Sequence, residues 1–179
     1  MPLLQRFQSL TPNQRIGLVG ASIFVADQLT KFAVLQLLGY QQERVVVEGF
    51  FKFVHWGNTG AAWSMFRGQN NVLAFVSASA MVALWIFRRH FEAGRLGGQV
   101  ALGLLFGGIL GNLCDRLLPS RRHVIDFLYF HLHPRGGGEI GFPAFNVADS
   151  AICTGVGLML LLSWMTQSRA ASPTVTDSQ

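Results

Sequence analysis

Charge is what this chain has least of. Asp, Glu, Lys and Arg make up 13% of its 179 residues, against about 25% in a soluble domain. That is too few to cover a water-exposed globule. With 50% hydrophobic residues, the composition points to a membrane protein. Cysteine is also scarce. Cys114 and Cys153 both lie in apolar segments, form no CxxC, and have no histidine at a zinc-like spacing, so they read as small buried side chains. The net charge is +5, yet no basic stripe exists. The basic residues are scattered or sit in short clusters at the ends of apolar runs, which excludes nucleic acid as the partner. A small-residue cleavage site after the first apolar run is missing too, so that run reads as an uncleaved span.

What is present is long apolar sequence. A spanning helix needs about 20 mostly apolar residues, and four segments qualify: Ile16 to Leu38, Val72 to Phe87, Leu96 to Leu113, and Phe142 to Trp164. The expected fold is an all-α membrane protein. It has one four-span domain over residues 1–168, with spans near 16–38, 70–89, 96–116 and 142–166. A polar tail, 169–179, is expected to be disordered. Gly103, Gly107, Gly108 and Gly111 form a small-residue face on the third span, where helices can approach closely. Between spans one and two, "ERVVVEGFFKFVHW" is rich in β-branched and aromatic residues and predicts a small sheet on the membrane surface. A second β-like run and a Gly-rich turn follow span three. Total charge counts on the two sides do not settle orientation. The densest short basic loop, with Arg88, Arg89 and Arg95, favours a cytoplasmic position for itself and for both termini.

Charges inside spans cost about 2.5–3.5 kcal/mol each near the bilayer centre, so each needs a reason. Asp27 and Lys31 are four residues apart on one helical face, and an ion pair between them offsets their insertion cost. The remaining polar positions converge. In an up-and-down four-span arrangement, Asp27 and Lys31 lie in the later half of span one. "GNTGAAWS" (57–64) leads into span two at that end, and "GNLCDR" (111–116) closes span three there. Asp126 lies just beyond, and Asn146 and Asp149 open span four at the same end.

"FPAFNVADSA" (142–151) has a structural explanation, with Asn146 capping the helix and Asp149 three positions on, as in a capping box. Capping at one site does not predict the convergence of five segments. If Asp126 and Asp149 lie close together they cannot both ionise easily, and the pair shares a proton. Such a pair can activate a water and polarise a scissile carbonyl. This chemistry needs no metal, serine or thiol, and no cofactor is expected. Asp115 is a rival member, but it sits beside Arg116 on the last turn of span three and reads as structural. Asn58 reads as a polar group facing a cleft, with Gly60 and Ala61 allowing close approach, or as part of an ordinary turn; its surroundings lack phosphate-loop spacing. His131 and His133 have a metal-like spacing. An isolated H-x-H in a loop is weak, however, and reads as surface-exposed or partner-binding, with no metal expected.

In order across four apolar spans stand "DQLTK", "NTGAAWS", "GGILGNLCDR", "VIDF" and "FPAFNVADS". Together they resemble the bacterial lipoprotein signal peptidase (signal peptidase II) family over nearly the whole chain. The resemblance implies a polytopic aspartic endopeptidase of the inner membrane. Such enzymes remove signal peptides from diacylglyceryl-modified prolipoproteins, cutting just before the lipid-modified cysteine. It implies Asp126 and Asp149 as the catalytic pair. Asp27, Lys31, Asn58, Gly108, Asn112, Arg116, Asn146 and Ala148 become the substrate-binding or supporting positions. It further implies a periplasmic catalytic face, which makes the surface sheet extracytoplasmic, and cytoplasmic termini. The expected partners are the prolipoprotein substrate and membrane lipid, and the chain is expected to be a monomer.

Two other readings make different predictions. A proton-coupled carrier would spread its polar residues through the membrane depth, whereas here they crowd one end. A scaffolding subunit would use them only to join helices, and Asp126, outside any span, would then be dispensable.

Overall fold

Thr11 sets the start of the first long helix. Its hydroxyl accepts the Gln14 N–H at 3.3 Å and its own N–H donates to Gln14 Oε1 at 2.9 Å, a reciprocal cap followed by Pro12, whose missing N–H costs nothing there. A computed structural model describes residues 3–60, 68–90, 95–135 and 137–170. In chain order the elements are α1 (Leu3–Ser9), α2 (Pro12–Leu37), β1 (Glu43–Val47), β2 (Phe51–Asn58), α3 (Asn70–Phe87), α4 (Leu96–Leu117), β3 (Val124–Leu132), β4 (Ile140–Gly141) and α5 (Val147–Ala170). Four of them, α2, α3, α4 and α5, are long and apolar enough to cross a membrane. Leu29, Phe32, Phe75, Ile86, Leu160 and Trp164 point outward from them, a costly arrangement in water and the natural one in lipid.

The fourth helix of the chain, α4, is the centre, packing against α2, α3 and α5. Of its apolar stretch 56% is buried, against 11% in α2 and in α3. The glycine face predicted from sequence is what permits this. A Cβ on Gly107 would lie 2.5 Å from the Gly20 carbonyl oxygen, and one on Gly108 would lie 2.5 Å from that of Ala148. Only hydrogen fits at either place.

The small sheet is antiparallel, in the order β1-β2-β3-β4. Its first two strands come from the connection between α2 and α3. The other two come from the connection between α4 and α5, so the sheet is not confined to one loop. Gly49, at φ 71, makes the β1–β2 turn with a backbone angle that suits glycine. Across β2 and β3, Trp56 pairs with Asp126 and Asn58 with Val124. Val34 from the end of α2 packs with Ile125 and Phe127 of β3, flanked by Leu38, Phe53 and Val147. This apolar cluster seats the sheet on one end of the helices.

Two boundaries differ from expectation. The apolar run from Phe142 is helical only from Val147, because Phe145 pairs with the sheet instead: its N–H donates to Leu128 O and its carbonyl accepts the N–H groups of Phe127 and Leu128. The first long helix, α2, begins at Pro12 rather than Ile16, since the Thr11 cap acts upstream of the apolar residues. Residues 171–179, most of the tail expected to be disordered, and Ala61, expected to allow close approach, lie outside the described residues.

Candidate active site

The two carboxylates singled out in the sequence arrive from different elements. Asp126 stands on β3 between the apolar Ile125 and Phe127, 3% exposed. Asp149 stands in the first turn of α5. Asn146, wholly buried just before α5, joins them. Its Nδ2 donates to Asp126 Oδ1 at 2.8 Å and to Ile125 O at 3.2 Å. Its Oδ1 accepts the Asp149 N–H at 2.9 Å, and its own N–H donates to Asp149 Oδ2 at 3.2 Å. The cap suggested by "FNVAD" is therefore present, and the capping asparagine also holds the other aspartate.

Each carboxylate has its second oxygen held as well. Asn58, at the end of β2, donates to Asp126 Oδ2 at 2.9 Å, and its own Oδ1 is fixed by the Gly60 N–H at 2.9 Å. Asn112 of α4 donates to Asp149 Oδ1 at 2.8 Å. All these donors are neutral amides. Among the described residues no ion pair reaches either aspartate. Burial, then the neighbouring Asp149 carboxylate, pushes the Asp126 carboxyl up to about 7, against the opposing pull of the Asn58 hydrogen bond. Such a group holds its proton near neutrality.

Behind this pair lies a buried ionic cluster. Lys31 Nζ donates to Asn112 Oδ1 at 3.0 Å, lies 2.8 Å from Asp27 Oδ2 and 2.7 Å from Asp115 Oδ2, and all three charged side chains are wholly buried. The expected one-turn pair of Asp27 and Lys31 is thus extended by a second carboxylate from α4. Arg121 closes the cluster with an ion pair to Asp115. Two anions face two cations, which lowers the cost of burying them. Asp27 also accepts the Ala148 N–H at 3.0 Å, tying α2 to the first turn of α5. Gly111 is needed here, since a Cβ on it would lie 2.5 Å from Asp27 Oδ2. Arg116 takes a different path, donating to Gly60 O at 2.9 Å and so pinning the chain just after Asn58.

Asp27, Lys31, Asn58, Asn112, Asn146, Ala148, Asp126 and Asp149 are thereby joined in one hydrogen-bonded network. Gly108 packs its backbone against Ala148. Asp115 pairs with Lys31 and Arg121 and takes no hydrogen bond from Asn58, Asn112 or Asn146 among the described residues. Sequence reasoning missed Gln28, whose Nε2 donates to Asp27 Oδ2 at 3.0 Å and to Gly111 O at 3.2 Å, while its Oε1 accepts from Arg121 at 3.0 Å. Its signal was only its place beside Asp27. It also missed Arg121, which looked like any loop arginine.

Comparison with known proteins bears on this geometry. The sequence profile of the signal peptidase (SPase) II family matches residues 19–165. The chain is 38% identical over 154 residues to a lipoprotein signal peptidase of Syntrophotalea carbinolica, covering 84% of this chain and 91% of that one. It is 32% identical over 144 residues to the lipoprotein signal peptidase of Bacillus subtilis, covering 80% and 89%. A solved structure, described as a bacterial membrane enzyme obtained by the in meso method at 2.3 Å resolution, superposes with a TM-score of 0.74 at 29% identity. It covers 89% of this chain and 93% of that one.

Proposed function

The chain belongs to the signal peptidase II family, a family of bacterial inner-membrane peptidases, and from that premise we propose that it cleaves diacylglyceryl-modified prolipoproteins just before the lipid-modified cysteine, with Asp126 and Asp149 as the catalytic pair. One observation carries the reading. Two carboxylates from different elements are held by one buried asparagine, oriented by neutral donors and left without a cationic partner among the described residues.

The pair shares one proton, and Asp126 holds it. Asp149 accepts a proton from a bound water as the water oxygen forms a bond to the scissile carbonyl carbon. Asp126 donates its proton to the carbonyl oxygen, giving a neutral tetrahedral diol. Collapse of the diol breaks the C–N bond: Asp149 passes its proton to the departing amine of the cysteine, and Asp126 recovers one from the diol hydroxyl. The pair returns to its starting state. Asn58, Asn112 and Asn146 keep the four carboxylate oxygens aimed through this exchange, and Lys31 orients Asn112 from behind.

Placement fits the substrate. The pair lies where the sheet meets the ends of α2 and α4 and the start of α5, so a substrate helix in the bilayer delivers its lipid-bearing end to the site. Strands from the first and third connections share the sheet, so both lie on one side of the membrane. The connection with Arg88, Arg89 and Arg95 lies on the other, and its density of basic residues favours that side as cytoplasmic. The site is then periplasmic and the termini cytoplasmic. The donors named above complete the pair within one chain, so the proposed reaction requires no second copy.

The test is cleavage of a diacylglyceryl-modified prolipoprotein by purified protein in detergent, with Asp126→Asn and Asp149→Asn alongside wild type. Both variants keep shape and lose ionisation. Both should fold and fall by about 10³-fold or more, a loss typical of removing an essential acid or base. Retained cleavage in either would remove that aspartate from the mechanism.

A further inference from the structure

The hairpin of β3 and β4 carries a group of side chains that peptide hydrolysis does not use. His131 ends the buried part of β3, His133 follows two residues on, and Glu139 precedes β4. The i, i+2 spacing puts both histidines on one face of the strand. Gly137 and Gly138, at φ 84 and 85, turn the chain back so that Glu139 returns to that face. Its Oε2 lies 3.3 Å from His131 Nδ1 and 3.6 Å from His133 Nε2, and the three ligand atoms all fall within 4.8 Å of one another.

We propose that His131, His133 and Glu139 form a binding site for a zinc-like divalent transition metal at the outer edge of the sheet. Ligand atoms about 2.0–2.1 Å from a tetrahedral zinc stand roughly 3.3 Å apart. Two of the three separations already match that spacing. Two imidazoles and one carboxylate suit zinc, and three protein ligands leave a fourth position open.

A second, independent observation points the same way. His131 is buried, and neither of its ring nitrogens has a hydrogen-bond partner among the described residues; the 3.3 Å approach of Nδ1 to Glu139 lacks hydrogen-bond alignment. A buried imidazole with both nitrogens unpaired is costly, and a metal bond to one of them relieves it. Its ring is fixed by stacking on Tyr129, with centroids 5.6 Å apart and planes at 13°. Tyr129 also donates to Glu139 Oε1 at 3.0 Å, leaving Oε2 for the metal, the kind of outer support that ligating carboxylates have.

Lys52 is the competitor. Its Nζ lies 3.2 Å from Glu139 Oε2 and 2.8 Å from Glu43 Oε2. An arriving cation displaces the ammonium from Glu139, and Lys52 keeps Glu43. Metal binding would thus fasten the 133–139 turn to the sheet edge.

The experiment is titration of the full chain, free of any histidine tag, in detergent with Co²⁺ followed by Zn²⁺. Wild type should bind one Co²⁺ with visible absorption bands of a four-coordinate site, and one equivalent of Zn²⁺ should abolish them. His133→Ala is informative because that side chain is exposed and its loss should not disturb folding. It and Glu139→Gln should each weaken binding by about tenfold or more, and Lys52→Met should tighten it. Binding that is absent in wild type, or equal in wild type, His133→Ala and Glu139→Gln, would overturn the assignment. So would weaker binding in Lys52→Met. Prolipoprotein cleavage by His133→Ala should equal that of wild type, which separates this site from the aspartate pair.

Discussion

Lys31 Nζ stands 2.7 Å from Asp115 Oδ2, and neither side chain touches solvent. The contact joins α2 to the last turns of α4 through the core of the bundle. It also commits Asp115 to an ion pair, whereas among the described residues Asp126 and Asp149 are held by amides alone. Position in the fold, rather than residue type, separates the ion-paired aspartate from the two that amides hold.

Asp115→Asn should therefore fail in stability. Removing one anion leaves Lys31 and Arg121 facing a single carboxylate, Asp27, and an unbalanced buried charge costs about 3–5 kcal/mol. Thermal unfolding in detergent should show a large drop for Asp115→Asn, while Asp126→Asn should unfold no lower than wild type and lose cleavage. Equal melting temperatures for all three proteins would contradict this division.

Asn146 serves the helix end and the carboxylate pair at once. Asn146→Ala should lose about 1 kcal/mol from the missing cap, together with a much larger share of turnover. Asn146→Ser restores a capping oxygen but does not supply the Nδ2 bond to Asp126. Its melting temperature should recover and its kcat should not. Recovery of both together would mean that the asparagine acts only as a cap.

The raised carboxyl of Asp126 predicts how stability varies with pH. Its folded value of about 7 lies above the ordinary 3.8, so between the two the folded state binds the extra proton. The linked stability is full below about 3.8 and is lost as pH rises towards 7. Asp126→Asn removes that loss. The variant should gain on wild type in unfolding free energy from pH 4 to pH 8, and parallel curves would count against a proton on Asp126. In wild-type enzyme, kcat/KM should fall as pH passes upward through about 7.

Gly108 is the place to test helix contact. A side chain there meets the Ala148 carbonyl and Ile152, so Gly108→Val should push α5 from α4 at a cost of about 1–3 kcal/mol. Because Ala148 N–H donates to Asp27, the shift should also misplace Asp149. Lower melting temperature and lower kcat should appear together. Full activity in Gly108→Val would show that the close approach is not required.

Much of this could be read in the chain because membrane chemistry makes each polar residue conspicuous. Asp27, Lys31, Asn112 and Asp149 stand out against apolar neighbours, and their order along alternating spans brings them to one end. The pairing of Asn58 with Val124 could not be read. It joins residues from two separate connections, and local β-propensity does not say which strand is the neighbour. The helix start at Val147 was hidden for a similar reason, since Phe142 and Phe145 look like span residues until the partner at Leu128 is known. Gln28 and Glu139 carry no local mark at all. Each matters through what the fold sets opposite it: Arg121 for Gln28, and His131, His133 and Lys52 for Glu139.

The shared sheet has a consequence for biogenesis. Strands β2 and β3 are made at different times, separated by two whole spans. If one of those spans were inserted in the wrong direction, Asn58 and Val124 would emerge in different compartments, about 30 Å of hydrocarbon apart. No ladder could form between them, and Asp126 would lack its Asn58 donor. The β2–β3 seam is in this sense a proofreading device, closing only on a chain in which the two spans between those strands have threaded correctly.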